Sequence, residues 1–301
     1  MSGTVRPDVR RALGAPDLRS RLDALGFDDV DAEAAVDAAA AVLDRPRDLA
    51  VVAELAERLV ARLGVLPFVP GGEVVAGLVE DGVGEEGVPA LLALVATAPA
   101  VAAFHTSRGV PPDVSAATLA DLGQQVRVHR LVTGGFGLGT YSWVAGPVWS
   151  GALYRLGRLQ YDLELVSTVD GTGIEWVLST HVPRDGRLAP EDVDASLAAA
   201  SAFFAAHFAE VAVRDVHCRS WLLDPRLPEV LPGSNLAAFS QRWRTYGQPV
   251  PGDEDAMFFG FTRHGPVELD ALPTGTALQR ALLALWRSGE SWHLVEGRLA
   301  R

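Results

Sequence analysis

Two strictly alternating runs, "RLQYDLEL" at 158–165 and "IEWVLSTHV" at 174–182, flank the segment "VDGTG", and nothing else in the chain restricts its fold as tightly. Alternation of apolar and polar residues is the pattern of a strand with two unlike faces, and Asp-Gly between two such strands is a tight-turn signal. The pattern predicts an antiparallel hairpin with Asp170-Gly171 at its tip. In that register Gln160 opposes His181 and Asp162 opposes Ser179, whereas a longer loop would set Asp162 against His181. Either way Arg158, Gln160, Asp162 and Glu164 share one face of the first strand, with Glu175, Ser179 and His181 together on the second. One side of this hairpin is unusually polar.

The hairpin runs into "THVPRDGRLAPEDVDASL", a short polar loop and the start of a helix expected from about Pro190 to Phe208. A strand near "VAVRDVHCRSWLL" follows, which makes a βαβ unit with parallel strands and a right-handed crossover. "DAMFFGFT" and "SWHLVEGRL" read as later strands, separated by a helix over "TALQRALLALWRSG". Upstream, "DAEAAVDAAAAVLDRPRDLAVVAELAERLVARLG" is rich in Ala and Leu with apolar residues at helical spacing. Tryptophan becomes frequent only from Trp143 onward. The predicted class is α+β: an all-helical domain over residues 1–130, then a mixed β-sheet with flanking helices over 131–301.

Composition removes whole classes of chemistry. A net charge of −12 repels phosphate backbones and anionic lipid surfaces, so neither nucleic acid nor a membrane is expected as a partner. Cys218 is the single cysteine and the seven histidines are scattered, so no metal site is expected. The chain contains no lysine. A Walker-type phosphate loop, Schiff-base or pyridoxal phosphate chemistry and a Ser-x-x-Lys hydrolase each require one. "MSGTVRPDVRRAL" lacks the apolar stretch of a signal peptide. "VPALLALVATAPAVAAF" at 88–104 is short for a bilayer span and reads as a buried helix. The expected location is cytoplasmic.

Three segments invite a chemical reading. After His181, Arg184 and Arg187 can pair with phosphate oxygens and Gly186 lets the backbone approach closely. This loop lies at the carboxyl end of a parallel strand, where ligands of open sheets bind. The alternative is a plain turn: Pro190 is a good first helical residue, and Glu191, Asp192 and Asp194 already complement the helix dipole. "TGGFGLGTY" breaks the G-x-G-x-x-G frame at Thr140 and reads as a connection. In "HCRSWLLDP", His217 and Cys218 point to opposite faces of a strand, so Cys218 reads as a small core residue. A hydrolase built on Ser220 or Cys218 is the weaker option.

The combination of "LGRLQYDLEL", "THVPRDGRLAPEDVDASLAAASAFFAAHF" and "CRSWLLDPRLPEVLPGSNLAAF" resembles a bacterial family that joins a helical N-terminal domain to a C-terminal domain similar to GNAT, the CoA-dependent N-acyltransferase superfamily. The resemblance covers most of residues 100–295. It implies CoA or acyl-CoA as cosubstrate, with Arg184, Asp185, Gly186 and Arg187 in the pyrophosphate-binding position. It further implies direct acyl transfer to an amine or similar small-molecule acceptor, assisted by a base on the polar strand face. His181 is the first candidate for that base, with Glu175 and Asp162 as the others. The helical domain is left as a surface for a protein partner. The (Gln/Arg)-x-x-Gly-x-(Gly/Ala) loop signature of GNAT enzymes is not matched, because Arg184 and Gly186 stand too close together and no second glycine follows. The tyrosine that often supplies the acid is also missing from the segment after the next strand. These departures define the alternative, a catalytically silent GNAT-like binding or interaction module.

Overall fold

The computed structural model describes residues 7–69, 71–76 and 87–300; the first six residues of the segment read for a signal peptide fall outside the described residues. The chain divides into two compact units, Met1–Arg155 and Leu156–Arg301. The boundary expected after residue 130 falls inside a helix, and the units part later, between Arg155 and Leu156.

The first unit contains α1 (Val9–Leu13), α2 (Leu18–Ala24), α3 (Asp29–Leu43), α4 (Pro46–Ala61), α5 (Gly71–Val75), α6 (Val88–Ser107), α7 (Pro112–Leu119), α8 (Asp121–Thr133) and α9 (Tyr141–Trp143), followed by a π-helical turn over Val144–Val148. Local chemistry sets the starts. Asp28 accepts a hydrogen bond from the Asp31 amide to cap α3, and α4 opens with Pro46, whose fixed φ suits a first turn. Among the described residues α6 is the one helix long and apolar enough to cross a membrane. It is apolar all round because it is the core of this unit, with Leu91, Leu92 and Leu94 fully buried. Two polar pairs lie inside that core. Thr97 Oγ1 donates to the Ala93 carbonyl at 2.8 Å and accepts from Trp149 Nε1 at 3.0 Å. His105 Nδ1 lies 2.8 Å from Ser115 Oγ. Trp149 therefore belongs to the helical unit, which is why tryptophan frequency marks a boundary too early.

The second unit is built on a mixed sheet of β1 (Leu153–Leu156, which spans the division), β2 (Leu159–Ser167), β3 (Ile174–His181), β4 (Val213–Ser220), β5 (Trp243–Pro251) and β6 (His293–Leu299), in the order β1-β2-β3-β4-β6-β5. The β2–β3 hairpin takes the shorter register, with Gln160 opposite His181 and Asp162 opposite Ser179. Gly171 sits at φ 70, the left-handed conformation this turn demands. β3 and β4 are parallel, joined through α10 (Pro190–His207). α10 packs on one sheet face through Ser196, whose hydroxyl accepts from the Leu159 amide at 3.2 Å and lies 3.1 Å from Tyr161 Oη. The short helices α11 (Leu227–Val230) and α12 (Asn235–Ser240) lead to β5.

"DAMFFGFT" is not a strand. It forms α13 (Asp253–Phe261), and the expected helix after it is α14 (Ala277–Arg287). The acidic triplet Asp253, Glu254 and Asp255 supplies a favourable first turn, and Asp253 Oδ1 accepts from Trp286 Nε1 at 2.6 Å and the Trp292 amide at 2.7 Å. Those anchors outweigh the local β-propensity of a Phe-rich run.

Candidate active site

The parallel ladder between β3 and β4 runs from Trp176 and Val213 to Ser179 and His217. Beyond that pair the two strands keep different company. Gln160 on β2 faces His181, while Cys218, Arg219 and Ser220 pair with Gly297, Glu296 and Val295 on β6. The carboxyl ends of the parallel strands thus lose each other at the point where β3 enters the loop to α10. A divergence of this kind, followed by a helix N-terminus, is where ligands of parallel sheets bind.

The registers place Gln160, Asp162 and Glu164 on the face opposite α10, together with Glu175, Ser179 and His181, then Asp215, His217 and Arg219, then Glu296 and Arg298, and finally Tyr246. This face is polar yet largely withdrawn from solvent: Asp162 and His217 are each 2% exposed and Arg298 is 3% exposed. His181 Nε2 lies 2.9 Å from Asp162 Oδ1, at the edge of the divergence. A carboxylate in that position fixes the ring's orientation, which is the arrangement of an oriented general base. Burial raises the Glu164 carboxyl above the usual range, Asp162 adds to the shift, and a hydrogen bond from Ser179 opposes it.

Glu175 stands apart from this pair. It binds Arg298 Nη2 at 2.8 Å, and six residues of extended strand put it about 20 Å from His181. In the loop, Gly186 has φ 71 and Arg187 is exposed. Arg184 turns toward α13, where it donates to Thr262 Oγ1 and its guanidinium lies 5.9 Å from the Phe258 ring centroid. Asp185 faces Arg158 Nη1 at 3.6 Å. Of the predicted residues, Asp162 and His181 are brought together at the divergence and Arg187 is presented beside it, whereas Glu175 and the Arg184 guanidinium are engaged elsewhere.

Three residues outside the predicted set complete the face. His217 has no hydrogen-bond partner at either ring nitrogen, and Glu296 Oε2 lies 3.8 Å from its Nε2. Burial first, then the Arg298 charge, lowers its pKa to about 4, so the ring is neutral at physiological pH. Arg298 leaves Nε and Nη1 without partners despite its pair with Glu175. Tyr246 lies near both, its ring 6.2 Å from and tilted against the His217 ring and 5.5 Å from the Arg298 guanidinium, and burial raises its hydroxyl to about 12. Alternation on β4 already separates His217 from Cys218; the cross-strand register needed to seat it beside Ser179 is set by the loop and α10. Cys218 is fully buried, burial pushes its thiol up, and Ser220 Oγ is committed to the Leu222 amide at 3.1 Å. Neither is placed as a nucleophile. Among the described residues no three His, Cys, Asp or Glu side chains group as metal ligands.

Comparison with known proteins agrees on one type. Residues 16–151 match the model of an N-acyltransferase N-terminal domain, and residues 153–299 match that of a GNAT-like C-terminal domain. No curated protein sequence matches. A solved acyltransferase in complex with decanoyl-CoA and teicoplanin is similar at 31% identity over 94% of this chain and 88% of that one, with a TM-score of 0.81. An acyltransferase in complex with CoA and 10C-teicoplanin is similar at 32% identity, with 95% and 88% covered and a TM-score of 0.77. An acyltransferase bound to decanoyl-CoA gives 29% identity, 94% and 87% coverage and a TM-score of 0.80.

Proposed function

The chain belongs to the acyltransferases that pair an N-acyltransferase N-terminal domain with a GNAT-like C-terminal domain, and on that premise we propose that it moves an acyl group from acyl-CoA to the amine of a small-molecule acceptor at the β3–β4 divergence. The observation that carries this reading is the end of the parallel ladder at Ser179 and His217, with the His181–Asp162 pair at its edge and the loop to α10 beside it. Similar acyltransferases hold CoA or decanoyl-CoA, two of them with teicoplanin or its 10C form, which supports a medium-length acyl donor and a sizeable polar acceptor here.

The acceptor nitrogen attacks the thioester carbonyl carbon, the C–S bond breaks, and the acyl group passes directly to nitrogen without a covalent enzyme intermediate. His181 takes the proton that the amine sheds, with Asp162 holding the ring in place. The departing thiolate gains a proton, and Tyr246, kept protonated by burial on the same face, is the candidate donor. It reaches this face from β5, not from the segment after β4. Arg187 and the first turn of α10 receive the pyrophosphate. The nearby carboxylate of Asp194 is tied to Arg242 Nε at 2.8 Å, which lowers its repulsion of phosphate. Glu175 acts on Arg298 rather than on the acceptor.

The test is turnover of decanoyl-CoA with teicoplanin by the wild type and by His181→Ala and Asp162→Asn, alongside calorimetric titration with decanoyl-CoA. Retained binding with lost turnover in His181→Ala is the expected result. Undiminished turnover in both variants would remove the proposed base.

A further inference from the structure

The loop between β3 and α10 lacks the second glycine of the GNAT signature, yet it is held in one shape by a single side chain. Arg158, in the β1–β2 turn, is the cause. Its Nη2 donates to the carbonyls of Pro183 at 3.0 Å and Gly186 at 3.2 Å, and its Nε donates to the carbonyl of Arg187 at 2.8 Å. Its Nη1 lies 3.6 Å from Asp185 Oδ1, and its side chain is only 9% exposed. A guanidinium presents several N–H donors in one rigid plane, so these bonds fix several peptide units of the loop at once.

The direction of those bonds matters more than their number. Across a trans peptide the C=O and the following N–H point opposite ways. With the Gly186 and Arg187 carbonyls turned inward to Arg158, the amides of Arg187 and Leu188 turn outward together. Gly186, at φ 71, supplies the left-handed residue that brings successive amides into one concavity, the geometry that accepts anionic oxygens. The first turn of α10 adjoins it and favours negative charge there.

We infer that Arg158 is a positioning residue for the CoA pyrophosphate, replacing the absent second glycine by gripping loop carbonyls so that the Arg187 and Leu188 amides face the phosphates. This rests on the acyl-CoA reading above. It also changes the part played by Asp185, which becomes the counter-ion of Arg158 rather than a group that touches the cosubstrate.

The experiment is calorimetric titration of wild type, Arg158→Ala and Arg158→Lys with decanoyl-CoA and with decanoyl-pantetheine, which carries the thioester and no pyrophosphate. Amide exchange over 182–189 and thermal midpoints are recorded on the same samples. Arg158→Ala should weaken decanoyl-CoA roughly tenfold or more while leaving decanoyl-pantetheine unchanged. The Arg187 and Leu188 amides should exchange faster in that variant. Arg158→Lys, which cannot reproduce the planar grip on three carbonyls, should fall between. Equal weakening of both donors, or unchanged decanoyl-CoA affinity in Arg158→Ala, overturns the inference. A wild type that binds neither donor overturns the acyl-CoA reading, and this inference falls with it; the two failures are distinguished by whether the wild-type titration is flat.

Discussion

In the helical unit, Thr97 is paired with Trp149, and His105 holds Ser115 through Nδ1 while its Nε2 has no partner. On the polar sheet face of the other unit His181 is paired with Asp162, but His217 lacks a partner at both nitrogens and Arg298 lacks one at two of its three. His105 and His217 are matched in burial, and burial lowers each to about 4, so the difference lies in company rather than in environment. An unsatisfied buried polar group costs about 1–3 kcal/mol, and a fold keeps such groups where a ligand or a reaction completes them. His105 keeps one hydrogen bond and His217 keeps none.

The largest expected difference is between the proposed base on the sheet face and the core histidine of the helical unit. His181→Ala should lower kcat about 10²- to 10⁴-fold in single-turnover assays, while decanoyl-CoA affinity stays as in the wild type. His105→Ala should leave kcat alone, and an equal fall in both variants would end the distinction. The next effect concerns stability against pH. Below about pH 6.5 the unfolded chain protonates these two histidines while the native state refuses the proton, so stability is full above that value and declines toward pH 4. Each imidazole should account for about 3 kcal/mol at the acid end. Urea unfolding at several pH values should show His105→Phe and His217→Phe each removing a similar share of the slope, only the second impairing turnover. A third test stays within the helical core: Thr97→Val strips Trp149 Nε1 of its acceptor and should cost about 1–2 kcal/mol with activity intact. The smallest effect belongs to Arg187→Ala at the loop surface, which should weaken CoA only about two- to fivefold and leave the thermal midpoint unmoved.

The parts of this molecule legible in its sequence are those determined by neighbours along the chain. Asp170-Gly171 between two alternating runs yields the hairpin, while the choice between its two registers is made by the loop, where the Thr168 amide donates to the Gly173 carbonyl at 3.0 Å. It also yields the polar face on which Asp162 and His181 meet. "DAMFFGFT" reads as a strand because its run of aromatics hides a start set by Asp253, whose partners Trp286 and Trp292 lie far along the chain. β5 escaped notice for the opposite reason: at the sheet edge, with Gly247, Pro249 and Pro251 in it and most of its residues exposed, it has no apolar rhythm to read. Tyr246 went with it. His217 could be assigned a face but not a neighbour, since the β3–β4 pairing includes an irregularity between Trp176 and Val177 that alternation does not foresee.

Arg158 has a consequence for how this kind of loop diverges between proteins. A carbonyl carries no side-chain identity, so an arginine that grips carbonyls leaves the residues it organises free to drift without loss of shape. The constraint moves off the loop and onto a turn some 25 residues upstream, in a different element. Proteins sharing the device would then look unrelated where a motif is normally sought, and alike at one unremarked arginine after the first strand.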